Sequence, residues 1–136
     1  MIKSYIDAST KGNPGPSGGG IVLLGEDIYE QESFALTQLS NHQAEFAVFS
    51  HLLDDLYKRG LHTQTILVYT DSKILAQTVQ KDYTKNRDFK KYLVEIQEKL
   101  TNFPLLLIQW IPESKNKGAD HLARQGLQKA IQLEDR

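Results

Sequence analysis

The chain has 136 residues, enough for one domain with a real core but little room for a second module. Its hydrophobic share of 40% and charged share of 24% exclude a low-complexity chain, and its net charge of −1 argues against binding nucleic acid by bulk electrostatics. Because cysteine is absent, disulfides, thiolate metal sites and a cysteine nucleophile are excluded, and any metal must be held by oxygen or histidine.

The first part of the chain has the pattern of an antiparallel meander. Apolar and polar residues alternate over 2–7, which predicts a first strand of about six residues. The stretch 9–20 is rich in glycine and proline, which is typical of turns. Two further strands are predicted at 20–25 and 28–36, so we expect three strands that pair in chain order.

The remainder alternates between helical and strand patterns. In chain order it predicts a helix at 41–59, a buried strand at 66–69, helices at 72–79 and 88–100, a strand at 105–110 and a final helix at 119–130. Trp110, which ends the last strand, is expected in the core. This order predicts a mixed sheet covered by helices.

The ends of the chain predict its organisation and location. We expect one domain over 1–131 and a disordered tail at 132–136. The chain does not begin with a basic stretch followed by an apolar run, and no segment approaches the length of a membrane span. We therefore expect a cytoplasmic monomer that does not associate with membranes.

Two aspartates stand where predicted strands end. Asp7 ends the first strand and Asp71 ends the fourth. If these strands are parallel neighbours about 4.8 Å apart, both carboxylates lie at one rim of the sheet, where ligands bind in open α/β folds. Two such carboxylates repel unless they share a proton or a cation, and oxygen ligands favour Mg²⁺ or Mn²⁺. Each aspartate taken alone could equally be a helix cap or a turn residue.

Two further acids lie at predicted helix starts. Glu45 borders the apolar stripe of its helix, where an unpartnered carboxylate is costly, so we expect it to have a partner. Asp120 has a similar position in the last helix. For either residue, a first-turn acid stabilised by the helix dipole is the alternative interpretation.

Four motifs resemble those of type 1 ribonuclease H, in the ribonuclease H-like superfamily. They follow the family's order: Tyr5-Ile-Asp7-Ala-Ser9 with Gly12-Asn-Pro-Gly15 and Gly18-Gly-Gly20, then Asn41 with Ala44-Glu45, Tyr69-Thr-Asp71-Ser72, and Asn116 with Ala119-Asp120-His-Leu-Ala123-Arg124. The resemblance implies an α/β fold with a five-stranded mixed sheet, in which a three-stranded antiparallel meander joins two parallel strands and helices flank the sheet.

The resemblance also implies a function. It implies an endonuclease that hydrolyses the RNA strand of RNA–DNA hybrids, leaving 5′ phosphates, with two Mg²⁺ or Mn²⁺ ions held by the catalytic residues Asp7, Glu45, Asp71 and Asp120. The hybrid would be recognised through the 2′-hydroxyls of one strand and the backbone of the other. Implied substrate contacts are Ser9, Gly12, Asn13, Gly15, Asn41, Gln43 and Ser72, with weaker candidates at Thr84, Lys85, Asn86 and Glu113.

The chain also departs from the family pattern. His42 stands where some members have a second asparagine, and the loop before Asp120 offers Glu113 where many members have a histidine. The segment 81–87 leaves no space for the basic protrusion of the bacterial form. These departures keep two alternatives open: a catalytically weak or inactive nucleic-acid-binding module on the same fold, and a nuclease that acts on another nucleic acid.

Overall fold

The computed structural model describes residues 1–135 and consists of a five-stranded mixed sheet flanked by helices. The strands are β1 (Ile2–Thr10), β2 (Gly15–Leu24), β3 (Tyr29–Leu39), β4 (Ile66–Thr70) and β5 (Leu106–Trp110). The α-helices are α1 (Asn41–Lys58), α2 (Lys73–Lys81), α3 (Arg87–Leu100) and α4 (Lys117–Glu134), with a 3₁₀ turn at Glu113–Lys115 before α4.

The strands lie in the order β3-β2-β1-β4-β5. Strand β2 pairs antiparallel with both β1 and β3, which forms the meander. Strand β4 lies parallel to β1, and β5 lies parallel to β4. The predicted mixed sheet and the predicted neighbours β1 and β4 are therefore confirmed.

The glycine-rich segment differs from its prediction as a turn. Strand β1 continues to Thr10, and β2 already begins at Gly15, so the stretch 15–20 is strand and only residues 11–14 connect the two. Ser9 pairs with Gly18 inside the ladder, one pair before its end. The glycines of this stretch were interpreted as turn residues. Glycine is instead required in β2 because α4 packs directly on this strand. A Cβ on Gly18 would lie 2.0 Å from the backbone nitrogen of Leu127.

The helices lie on both faces of the sheet. A Cβ added to Gly19 would meet Val48 of α1, whereas a Cβ on Gly20 would meet the backbone of α4. Because successive strand residues point to opposite faces, α1 and α4 cover opposite sides of β2. The core lies on the α1 side, where Phe46, Phe49, Leu52, Leu53 and Leu56 are fully buried against the even-numbered face of β1.

Several predicted boundaries move. Helix α4 extends to Glu134 because its backbone hydrogen bonds continue past Ala130, its last buried residue. Part of the tail predicted at 132–136 is therefore helical, and residue 136 lies outside the described residues. Trp110 was predicted to lie in the core but is 37% exposed, because it ends β5 at the open rim of the sheet. Within residues 1–135, each helix is too short or too polar to cross a bilayer.

Candidate active site

Asp7 and Asp71 are neighbours across the parallel pair β1 and β4. Ile6 pairs with Thr70, so the next residue on each strand is one of these aspartates. Asp71 follows directly after β4, as predicted, whereas Asp7 lies inside β1 rather than at its end because β1 continues in its pairing with β2. The strand register thus brings the two carboxylates to the same rim of the sheet.

Glu45 reaches this rim from the first turns of α1. Ser40 caps the helix by accepting a hydrogen bond from the backbone N–H of Gln43 at 3.1 Å. The Glu45 side chain is only 13% exposed, and Nδ1 of His42 lies 3.6 Å from its Oε2. That Oε2 atom is buried and accepts no hydrogen bond, so His42 is the partner that Glu45 was predicted to need but leaves this oxygen without a donor.

Asp120 reaches the rim from the first turn of α4. Its backbone N–H donates to the carbonyl of Asn116 at 3.1 Å, and its Oδ1 accepts a hydrogen bond from Nε of Arg124 at 3.2 Å. The glycines at 18 and 20 allow α4 to approach β2 closely, and because Gly20 pairs with Asp7, this turn lies beside Asp7. The fourth acid therefore depends on a backbone-to-backbone contact for its position.

Burial and mutual repulsion raise the pKa values of three of these acids. Desolvation, with repulsion from Asp71, Asp120 and Glu45, raises the pKa of Asp7 to about 8. Burial raises the pKa of Glu45, although contacts with Ser72 and His42 pull it down. Burial also raises the pKa of Asp71, against a hydrogen bond from Asn116. The four carboxylates thus lie within each other's electrostatic range.

The donor set fits an oxygen-liganded divalent cation. Several carboxylates held in a desolvated rim lower their electrostatic energy by sharing protons or cations, and the unpartnered Oε2 of Glu45 offers a free lone pair. Across residues 1–135, however, no three Asp, Glu or His side chains are already close enough together to form a metal-holding group. Cation binding at this rim therefore requires small side-chain movements.

A cleft of about 450 Å³ opens beside these acids. Its lining includes Glu45 and Asp71 together with His42, Lys73, Trp110 and Glu113. The indole N–H of Trp110 donates to the backbone carbonyl of Asp71 at 3.1 Å, and the Lys73 ammonium lies 4.9 Å from the centre of the indole ring. Glu113 also lies close enough to raise the pKa of Asp71.

Asn116 is a site residue that the sequence reasoning missed. It is 1% exposed, and its side-chain amide donates to the carbonyl of Ile6 at 2.9 Å and to Oδ2 of Asp71 at 3.2 Å. It therefore fixes the side chain of one acid against the backbone beside another. The available signal was its spacing of four residues before Asp120, which matches a motif but does not reveal the two hydrogen bonds.

The predicted contacts of the first loop and of α1 lie together on the surface. Oδ1 of Asn13 accepts a hydrogen bond from the backbone N–H of Asn41 at 3.1 Å, which ties the loop to the helix start. Gly12 has a φ of +86°, a conformation that favours glycine. The side-chain oxygen of Gln43 accepts from the backbone N–H of Ser40, so only its amide nitrogen is free for substrate.

The other candidate contacts have local structural roles. Ser72 is buried and caps α2 by accepting a hydrogen bond from the N–H of Leu75. Thr84 accepts a hydrogen bond from the N–H of Asn86, and Asn86 caps α3. Lys85 lies exposed between them. Substrate contact by these residues, by Ser9 and by Gly15 stays a prediction.

Comparisons with known proteins identify the family. The family model for RNase H matches residues 1–128. EbsB of Enterococcus faecalis, a protein named as a hydrolase, is 51% identical over 129 residues, covering 95% of this chain and 96% of that protein. Bifunctional protein Rv2228c of Mycobacterium tuberculosis is 29% identical over 130 residues, covering 93% of this chain; the chain spans only 35% of that protein's length.

A solved structure agrees with the family match. LC11-RNase H1, isolated from compost and crystallised in complex with an RNA/DNA hybrid, is 28% identical and superposes with a TM-score of 0.87, covering 96% of this chain and 99% of that one. The fold and the rim of acids define a nuclease of the ribonuclease H-like type. The chain belongs to the RNase H family and is a ribonuclease H enzyme, as its motifs predicted.

Proposed function

We propose that this chain is a divalent-metal-dependent endonuclease that hydrolyses the RNA strand of RNA–DNA hybrids and leaves 5′-phosphate ends. The observation that carries the proposal is the rim shared by Asp7, Glu45, Asp71 and Asp120, where burial, together with repulsion from the other three acids, raises the pKa of Asp7 to about 8. The family match and the hybrid complex of LC11-RNase H1 support the choice of substrate. A cytoplasmic location and a monomeric state are part of the same proposal.

The four acids would hold two Mg²⁺ ions, or Mn²⁺, through their carboxylate oxygens. When bound, such cations neutralise charge on the phosphate being cleaved and make a nearby water molecule more acidic. Burial and mutual repulsion raise the pKa values of Asp7, Glu45 and Asp71. Cation binding would relieve this unfavourable electrostatic state.

The surrounding residues would keep the acids in place during the reaction. Asn116 restrains Asp71 by donating to its Oδ2, and Trp110 restrains the same residue by donating to its backbone carbonyl. Arg124 orients Asp120 through a hydrogen bond at 3.2 Å. Because positioned charges accelerate phosphate chemistry only when they need not reorganise, these contacts serve the chemistry indirectly.

Two surfaces next to the rim would hold the two strands of the hybrid. The exposed residues Gly12, Asn13 and Asn41, with the free amide nitrogen of Gln43, would contact the 2′-hydroxyls and base edges of the minor groove. The loop of Thr84, Lys85 and Asn86 at the start of α3 would contact a phosphate of the DNA strand, with Lys85 as its cation.

The second candidate function is a nucleic-acid-binding module on the same fold with weak or absent catalysis. It is favoured by the net charge of −1 and by the segment 81–87, which leaves no space for a basic protrusion. Both observations bear on how tightly the substrate binds. The two candidates therefore differ in one measurable property, which is strand cleavage.

The test is an incubation of the purified chain with labelled RNA–DNA hybrid, RNA duplex and DNA duplex, each with Mg²⁺, Mn²⁺ or chelator. The enzyme predicts cleavage of hybrid RNA that disappears in chelator and falls at least about 100-fold in Asp71→Asn, since charge stabilisation of this kind contributes factors of that size. The exposed turn variant Asp27→Asn is the matched control and should cleave like the parent. Hybrid binding without cleavage under every metal would favour the module instead.

A further inference from the structure

A separate cavity lies on the α4 side of the sheet, behind the rim of acids. Its volume is about 340 Å³, within the range of about 300–1,000 Å³ that small-molecule sites occupy. Tyr5, Val22, Leu24, Tyr29 and Gln31 of the sheet form one side, and Lys115, Asn116, Gly118 and Ala119 at the start of α4 form the other. None of the roles assigned above to the active site uses the sheet side of this cavity.

Aromatic and apolar side chains dominate the sheet side of the cavity, which we call its floor. Tyr5 pairs with Val22 across β1 and β2, and Val22 pairs with Gln31 across β2 and β3, so the three side chains form one row. The ring of Tyr5 stacks on that of Tyr69 with centroids 4.9 Å apart, which holds it in a fixed orientation. A planar ring of a ligand would find a rigid aromatic contact here.

A second tyrosine borders the same floor. Tyr29 pairs with Leu24 in the next row toward the end of β2, and its ring is 70% exposed. Its hydroxyl accepts a hydrogen bond from the side-chain amide of Gln31 at 3.0 Å. The exposed ring of Tyr29 therefore extends the aromatic surface at the edge of the cavity.

The helix side of the cavity offers donors for an anion. The first backbone N–H groups of α4, those of Lys117, Gly118 and Ala119, have no preceding helical carbonyl to donate to, and no side chain caps this helix. The positive end of the helix dipole and the ammonium of Lys115 favour negative charge at the same place.

Asn116 supplies the observation that separates this site from a plain helix start. Asn116 is one of the residues that line the cavity and is 1% exposed, and its amide nitrogen donates to the carbonyl of Ile6 and to Asp71. Its Oδ1, on the other arm of the amide, is buried and has no hydrogen-bond partner. A buried acceptor without a partner calls for a donor that the protein does not provide.

We propose that this cavity binds a nucleotide. The phosphate lies at the N–H groups of Gly118 and Ala119 beside Lys115, and the base lies over Val22, bordered by Tyr5 and Tyr29. An N–H or hydroxyl of the nucleotide donates to Oδ1 of Asn116. Two kinds of ligand carry these groups: a free nucleoside monophosphate and the phosphorylated end of a single strand.

Gly118 allows the cavity to be filled without disturbing the fold. A Cβ on Gly118 would meet only Val22, at 3.8 Å, so a larger side chain extends into open space. Replacement of a helical glycine also removes backbone freedom from the unfolded chain and favours the helix. Gly118→Leu is therefore expected to fold at least as stably as the parent while it occupies the proposed site.

The test is an NMR titration of the ¹⁵N-labelled chain in EDTA, which prevents cleavage and metal binding. The probes are uridine monophosphate, uridine, inorganic phosphate and a short single-stranded RNA with a 5′ phosphate. We expect saturable chemical-shift changes at Gly118, Ala119 and Tyr29 with the monophosphate or the phosphorylated strand. Uridine alone and phosphate alone should bind at least fivefold more weakly. Whichever of the monophosphate and the strand binds more tightly identifies the source of the ligand.

Variants test whether the nucleotide binds at this cavity. Tyr29→Ala, Lys115→Gln and Gly118→Leu should each weaken binding at least fivefold. Tyr57→Ala, which removes an exposed tyrosine of α1, should not. The proposal is overturned by shifts that do not saturate, by shifts confined to the rim of acids, by phosphate binding as tightly as the nucleotide, or by unchanged binding in Gly118→Leu. The measurement does not depend on hydrolysis, so it is independent of the proposed enzyme activity.

Discussion

Asp7 and Asp71 lie side by side because β1 and β4 are parallel and in register, with Ile6 opposite Thr70. In most proteins two such carboxylates would be a local instability. Here the first lies inside a strand, covered by α4, and burial with the nearby acids raises its pKa to about 8. The arrangement costs stability in the metal-free protein, and the proposed cation binding would relieve that cost.

The metal-free protein should lose stability as pH rises. The folded pKa of Asp7, about 8, lies above its ordinary value of 3.8, so the folded state binds the proton more tightly than the unfolded state. The contribution of Asp7 to the free energy of unfolding is therefore fully present below about pH 4 and is lost as the pH rises toward 8. Asp7→Asn removes this dependence and should be more stable than the parent by about 2 kcal/mol or more at pH 9.

The measurement is chemical denaturation of both proteins in EDTA at pH 5, 7 and 9. The difference between variant and parent should grow from the lowest pH to the highest. Asp27→Asn, in an exposed turn, should track the parent at each pH. A difference that is constant across the three values contradicts the assignment of a raised pKa to Asp7.

Asn116→Ala should weaken both the fold and the reaction. The substitution leaves the buried carbonyl of Ile6 without its donor and frees the side chain of Asp71. Loss of a buried donor of this kind costs about 1–3 kcal/mol of unfolding free energy. We also expect a fall in kcat of roughly tenfold, because a positioning contact to one acid is lost.

Denaturation and single-turnover cleavage measure the two effects of Asn116→Ala. The exposed Asn102→Ala, at the end of α3, is the control and should change the unfolding free energy by less than about 0.5 kcal/mol. A variant at Asn116 that is destabilised but cleaves at the parental rate would show that Asn116 supports the fold alone.

Gly18→Ala should separate α4 from the sheet. The added Cβ would lie 2.0 Å from the backbone nitrogen of Leu127, a contact that cannot be relieved by rotating a side chain. Overpacking of this kind costs about 1–3 kcal/mol and sometimes more. Because α4 carries Asp120, the cleavage rate should fall with stability.

Gly118→Ala is the matched control for this prediction, since its Cβ meets only Val22 at 3.8 Å. It should be neutral or stabilise the protein by up to about 1 kcal/mol. Thermal unfolding of the pair gives the comparison directly. Equal stability of the two alanine variants would mean that the close helix-to-sheet contact does not exist in solution.

Local patterns predicted the elements that place two of the acids. Alternation over 2–7 and the apolar run at 66–69 are local patterns, and they predict that Asp7 and Asp71 each end a strand. That the two strands are parallel neighbours was a condition of the prediction, and the observed register meets it. The helical spacing after Asn41 likewise placed Glu45 near the start of α1. These features follow from side-chain periodicity, which is a local property.

Features that depend on distant contacts were not visible in the sequence. The glycines at 18 and 20 were interpreted as turn residues because their partner, the backbone of α4, lies about a hundred residues away along the chain. The double hydrogen bond of Asn116 and the exposure of Trp110 at the sheet rim depend on tertiary packing in the same way. The capping role of Gln43 was available in principle, since Ser40 lies three residues before it.

Calorimetric titration of the chain with Mn²⁺ tests most directly whether the acids at this rim act together as a metal site. We predict saturable binding of up to two ions per chain, weakened at least tenfold in Asp71→Asn and in Asp7→Asn but unchanged in Asp27→Asn. Absence of binding by the parent, or parental affinity in both rim variants, would contradict the account.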